Sequence, residues 1–410
     1  MSKEHKWRFA ARFRTCAFGW RGSRLAAQRL KEAVSEIRTV ARGDLVLAAE
    51  GAIKLIEKLW PALQQIDTSS GLLGGAVSSA VHEVIQYPIE AEVDRKTREK
   101  WLERLWEAFQ EDGVDYTIEV SDRWGELCGS DELRQKWVEE LLPILEASWF
   151  TGRHSSYFRG ESACLSCLLE SGRYQQLLDL VKRNSSRLWH TQRFGVKALM
   201  ALGRPEEALD YADRLRGPYT SGSVVDDACE AILLSIGKRH EAYSRYAFSA
   251  NRRGTGVATF RALSGKYPEK DPKEILDDLI RLSPGSEGKW FATARQLGFL
   301  DLAVKLARTS PCEPRTLNRA AKDLLGENPS AALAIAMSSL RWMCEGAAYE
   351  LSGTDVYSAC SSAMKAADTA GQGDETALQI ARLTRHHPFV YDFCRQTDPR
   401  IANADLGGRG

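Results

Sequence analysis

The sequence predicts an all-α protein: an α-solenoid of stacked helical hairpins, preceded by a helical subdomain. Three observations carry that expectation. Almost every segment spaces its apolar residues at helical period. Strand character is confined to "YTIEV" (116–120), and one isolated run cannot build a sheet. Through the second half, an apolar run closed by a glycine recurs every 28 to 34 residues, as in a repeat array.

Composition narrows the class. A chain of 410 residues with 43% hydrophobic and 27% charged residues is that of a folded, water-soluble protein with several domains or an extended array. Nine scattered cysteines, an odd number, fit a reducing compartment better than a disulfide framework. No apolar run approaches the ~18 residues of a membrane span, and the start lacks the apolar stretch of a secretory signal. A cytoplasmic protein without a membrane span is therefore expected. The net charge of +1 hides an asymmetry, because residues 1–42 sum to +8 and the remainder to −7. Between Glu90 and Glu140, sixteen acids face eight bases.

In chain order, residues 1–42 read as a basic strap and a first helix. If "KWRFAARFR" (6–14) is helical, Arg8 and Arg12 lie one turn apart, with Phe9 and Phe13 on the adjacent strip. Lys6, Trp7, Arg8, Phe9, Arg12, Phe13 and Arg14 then interleave cations with rings. That pattern suits single-stranded nucleic acid, where cations meet phosphates and rings meet bases. It also suits an anionic membrane surface or a targeting peptide. The main expectation is a strap, its rings docked on the body and its arginines facing solvent or the acidic middle segment.

Residues 43–150 form a helical subdomain. Ile56, Leu59, Leu63 and Ile66 share one face, as do Trp101, Leu102, Leu105, Trp106 and Phe109. A third face carries Trp137, Val138, Leu141, Leu142, Leu145 and Trp149. "FTGRHSSYFRG" (150–160) has no sustained apolar period and is the expected junction.

Residues 151–395 form the repeat array. In "ALGRPEEALDYADRLRG" (201–217), Gly203 supplies the left-handed φ of a sharp helix exit, and Pro205 opens the next helix beside Glu206 and Glu207. Its counterparts are Gly172, Gly237, Gly298 and Gly326, with Gly265 fitting through a longer turn. Five residues after the glycine stand Leu177, Ala208, Ala242, Ala303 and Ala331. A small residue there lets the second helix approach the first. Asp271-Pro272 and Asn328-Pro329 are cap-then-proline helix starts. The end, 396–410, is read as a frayed tail.

Gly203-Arg-Pro-Glu-Glu-Ala208 and Gly237-Lys-Arg-His-Glu-Ala242 resemble the inter-helix turn of a tetratricopeptide repeat, with its Gly-x-x-x-x-Ala spacing. Gly172-Arg-Tyr174 matches the aromatic often found two residues after that glycine. The resemblance covers roughly 158–345. It departs at the small position seven before the glycine, here Leu165, Val196, Glu230 and Phe291. More loosely, the chain resembles uncharacterised bacterial proteins with degenerate repeats of this kind. The resemblance implies a scaffold or adaptor binding a protein or peptide partner in a groove lined by the first helices. Groove positions lie thirteen, ten, six and three before the turn glycine. They are His190, Arg193, Lys197 and Met200 from Gly203, and Arg159, Ser162, Ser166 and Leu169 from Gly172; from Gly298 they include Arg295. The basic members, Arg159, His190, Arg193, Lys197 and Arg295, point to an acidic peptide or a terminal carboxylate.

No catalytic, metal or cofactor site is expected. "CLSC" (164–167) has metal-ligand spacing but no second pair, so Cys164 and Cys167 read as buried thiols. "HEVIQ" has Gln86 where a zincin needs its second histidine. "RLTRHH" sets Arg382 five residues before His387, resembling the Arg-x4-His core of HEPN ribonucleases. Leu383 stands where that family favours a polar residue, and the pair reads as a solvated basic turn. "GLLGGAVSSA" (71–80) reads as a helix whose small residues permit close packing, and "GSEGKW" (285–290) has Trp290 where a Walker A loop needs Ser or Thr. The expectation is thus a non-catalytic interaction protein. Nucleic-acid binding through the N-terminus and a HEPN-like ribonuclease are the alternatives.

Overall fold

A glycine in the left-handed region lets a helix end by turning its last carbonyls into hydrogen-bond acceptors. Gly172, Gly203, Gly237, Gly298, Gly346 and Gly371 all do this, with φ between +67° and +83°. At Gly203, its own amide donates to the Met200 carbonyl and the Arg204 amide to that of Leu199, both at 3.0 Å. The other five repeat this pair of bonds. The expected turns at Gly172, Gly203, Gly237 and Gly298 are thus present, and Gly346 and Gly371 extend the device beyond them.

Two of the expected glycines differ. Gly326 lies in a turn without a left-handed φ, and the Asn328 amide closes it onto Leu324 at 2.8 Å. Gly265 lies inside the Gly256–Lys266 helix, whose end is set two residues later by buried Tyr267. Leu177, Ala208, Ala242, Ala303 and Ala331 are all buried.

The structure is a computed structural model that describes residues 5–69, 71–150, 158–218, 220–348 and 350–406, with side chains through 403. Among these residues there is no strand, only an isolated bridge between Gly217 and Thr220. "YTIEV" enters the short helix Ile118–Asp122. No helix is long and apolar enough to cross a membrane. Seven residues of the expected junction, 151–157, lie outside the described set.

The chain packs as two units, 1–238 and 239–410. In the first, the strap 5–22 precedes helices Ser23–Ala41, Leu45–Leu63 and Leu72–Val84, which pack on one another. Arg95–Glu111 packs on Leu45–Leu63, burying Trp101, Leu102, Leu105 and Phe109. Hairpins follow: Glu161–Glu170 with Tyr174–Arg183, then Trp189–Ala201 with Pro205–Asp213. Trp124–Cys128 packs on Glu161–Glu170, so the 43–150 helices and the first hairpins share one unit. The division between units consequently falls inside the expected array.

The second unit stacks in the solenoid manner. From Pro314 onward helices pack on a neighbour and on the next but one: Pro314–Leu324 on Pro329–Cys344 and on Gly353–Thr369, and Pro329–Cys344 on Gly373–Thr384. Asp271 caps Pro272–Arg281 through the Lys273 amide at 2.6 Å, and Asn328 caps Pro329–Cys344 through that of Ala331 at 3.0 Å. The tail is ordered further than expected. Residues Pro399–Leu406 form a helix, anchored by fully buried Ile401 and by Arg400, which reaches Asp368 at 2.7 Å.

Candidate functional site

In the first unit most of the expected basic groove positions are already engaged. Arg159 lies 3.3 Å from Asp115 and stacks over the Phe109 ring. Ser162 and Ser166 are buried, and the Ser166 hydroxyl accepts from the Gly125 amide at 3.0 Å. A Cβ on Gly125 would come within 2.8 Å of the Ser166 carbonyl carbon, so this close seating requires glycine. Arg193 pairs with Asp122, and His190 lies 3.6 Å from Glu161. Lys197 has no ion-pair partner within reach. Crowding by its neighbours and the Arg193 guanidinium lower its pKa, although part of the residue reaches solvent. Asp122, Glu126 and Glu170 pull the other way. His190 therefore faces Glu161, and Arg159 and Arg193 face the chain's own segment 115–126.

That segment belongs to the acidic middle, one of the two surroundings, with solvent, expected for the strap's arginines. The strap docks its rings on the first two helices. Trp7, Phe9 and Phe13 are 5%, 2% and 1% exposed. The Arg8 and Phe9 amides donate to the two oxygens of Glu36, at 2.8 and 3.1 Å, and Arg12 pairs with Glu32. Lys6, Arg8, Arg12 and Arg14 stay at the surface. The rings of the expected cation-and-aromatic surface are core residues, so they offer no stacking platform for bases.

The second unit carries an open concavity of about 590 Å³. Its walls come from the starts or faces of three helical segments, Gly256–Lys266, 287–296 and Pro314–Leu324. Gly288, Ala292 and Arg295 line it, at positions ten, six and three before Gly298. Glu313, Thr316 and Asp323 line it at thirteen, ten and three before Gly326. Arg295 donates to Asp323 at 2.7 Å. Glu313 is committed to capping its helix through the Thr316 amide at 2.7 Å. Lys289 and Arg319 are exposed and lack a carboxylate partner; Lys289 lies over Trp290, and Arg319 bonds only the Arg315 carbonyl. Arg295 was legible in the sequence. Asp323 lies at a groove offset, three before Gly326, whereas Lys289 and Arg319 stand nine and seven residues before their glycines, off the offsets that the sequence makes legible.

The remaining candidates resolve simply. Cys164 and Cys167 are buried, as expected, with Cys128 Sγ 4.0 Å from Cys167 Sγ. Burial pushes the Cys164 thiol up to about 12. Among the described residues no cluster of three or more His, Cys, Asp or Glu is placed to hold a metal. His82 of "HEVIQ" pairs with Glu119. Arg382 and His387 are both exposed, with no hydrogen bond or ion pair joining them. The 71–80 stretch is helical, but side chains added at Gly74 and Gly75 would meet open space, so these glycines do not mark a close helix contact.

No protein-family model matches the chain, and no curated protein matches it. Among solved structures it is similar to a "circular tandem repeat protein with novel repeat topology and enhanced subunit contact surfaces", at 14% identity over 92% of this chain and 90% of that one. The TM-score of that match is 0.18, too low to carry an argument.

Proposed function

We propose that this chain is a non-catalytic helical-repeat adaptor whose second unit holds an acidic peptide segment of a protein partner. One observation carries the reading. Groove positions counted from Gly298 and Gly326 converge on a single concavity, where Lys289 and Arg319 stand without carboxylate partners. The same count in the first unit reaches Arg159 and Arg193, which hold the chain's own Asp115 and Asp122. Carboxylates are thus the chemistry this class of surface takes, with ion pairing as the means. The Gly-x-x-x-x-Ala turns with buried alanines support a tetratricopeptide-like repeat, and nine free cysteines suit a reducing, cytoplasmic setting.

A hydrogen bond to a charged group contributes about 1.5–3 kcal/mol, so reversing Arg319 should weaken binding by roughly ten- to a hundredfold. The test is selection of random peptides against the full-length protein, then affinity measurement on Arg319→Glu and Lys289→Glu. Enriched peptides should be rich in Asp and Glu and lose affinity in both variants. Peptides without acidic character, or affinities indifferent to both substitutions, would refute the proposal.

A further inference from the structure

A further concavity in the first unit lies between the strap and the helix Ser23–Ala41 and measures about 730 Å³. Lys6, Arg8 and Arg12 line it from the strap, and Arg29 and Lys31 from the helix. Its described acids are Glu32 and Glu36, so the lining sums to +3 in a chain whose total is +1. Both acids are spoken for. Glu36 accepts the Arg8 and Phe9 amides, and Glu32 is shared by Arg12, Arg29 and Gln28. Lys6 and Lys31 have no carboxylate partner, and the Arg8 side chain is 81% exposed with only a 3.6 Å approach to Glu36.

From this we infer that the cleft binds the phosphate backbone of nucleic acid, independently of base sequence. Three features select that ligand. The lining holds no large apolar anchor beyond Val40, because Trp7, Phe9 and Phe13 are buried. The cations stand on two elements, the strap and Ser23–Ala41, and Lys6, Arg8, Arg12 and Lys31 are exposed, so a phosphate backbone crossing the cleft mouth can reach both. Duplex DNA carries one negative charge per ~1.7 Å of axis, a density that the five lining cations, Lys6, Arg8, Arg12, Arg29 and Lys31, can meet. The cleft wall is also pre-formed, because burial of the three rings and the Glu36 bonds hold the strap backbone in place.

Neutralising about three phosphates predicts a log–log salt slope of about −2.7, or roughly a 20-fold loss of affinity between 50 and 150 mM salt. The experiment titrates a fluorescent 20-base-pair duplex and an oligo-dT 20-mer with the full-length protein. It compares the Lys6→Glu/Lys31→Glu variant with the charge-matched control Lys305→Glu/Lys365→Glu in the second unit. Both pairs are exposed and free of ion pairs, so melting temperatures should stay within a few degrees. The expected result is duplex binding at 50 mM salt that drops at least tenfold in the first variant and stays within twofold in the control. The inference is overturned by any of three outcomes: no duplex binding at 50 mM, equal loss in the control, or binding to phosphatidylserine vesicles but not duplex. A tenfold or greater preference for oligo-dT would also overturn it, since that requires base stacking.

Discussion

Replacing a glycine inside a helix by alanine ordinarily stabilises by about 1 kcal/mol. Gly51, in the helix Leu45–Leu63, should do the opposite. A Cβ there would lie 2.5 Å from Trp7 Cη2, well inside the ~3.5–4.0 Å of a normal carbon contact. The indole would have to retreat by roughly 1 Å, yet its strap is held by the Phe9 and Phe13 rings and by Glu36. Overpacking of this kind costs about 1–3 kcal/mol. Against the propensity gain, Gly51→Ala is expected to destabilise by about 1 kcal/mol, or roughly 2–4 °C in a unit this size. In a Trp7→Ala background the obstacle is gone, and the same substitution should stabilise by about 1 kcal/mol. Calorimetric melting of the four proteins in this cycle reads the reversal of sign directly. If Gly51→Ala raises the melting temperature equally in both backgrounds, Trp7 is not seated against Gly51 and the docked strap is refuted.

Other predictions are shorter. Gly203→Ala forces a side chain into a φ of +70° and should cost about 1–2 kcal/mol, whereas Gly265→Ala, inside a helix with open space beside it, should stabilise by about 1 kcal/mol; chemical denaturation of both separates turn glycine from helix glycine. Hydrogen bonds from the Thr97 hydroxyl and amide hold the Asp94 carboxyl below its usual range. A depressed folded pKa stabilises above the unfolded value of about 3.9 and is lost as pH falls through the folded value. The melting difference between wild type and Asp94→Asn should therefore hold from pH 7 to about 5 and shrink below about 4. Structured and single-stranded RNA should survive hours with the purified protein; cleavage abolished by His387→Ala in a folded variant would overturn the non-catalytic reading.

What was legible in the sequence was local. Gly172, Gly203, Gly237 and Gly298 declare themselves because their turns require a φ that other residues resist. Gly265 misleads because an apolar run before a glycine does not say where a helix stops, and buried Tyr267 carries this helix to Lys266. The basic groove residues were legible from their offset to the turn, but their occupants were not. Asp115 meets Arg159, and Asp122 meets Arg193, across 44 and 71 residues of sequence, distances at which pairing is decided by tertiary packing alone. The strap's rings announced burial. Its partner was set by Gly51, an apparently ordinary helical glycine, together with Glu32 and Glu36.

The most direct test of the adaptor reading is hydrogen–deuterium exchange on the full-length protein with and without a selected acidic peptide. Protection should appear in 255–266, 287–296 and 313–324, which line the second unit's concavity, and should vanish in Arg319→Glu. Protection confined to residues 5–41, or spread over 115–126 and 159–197 with the second unit unchanged, would contradict it.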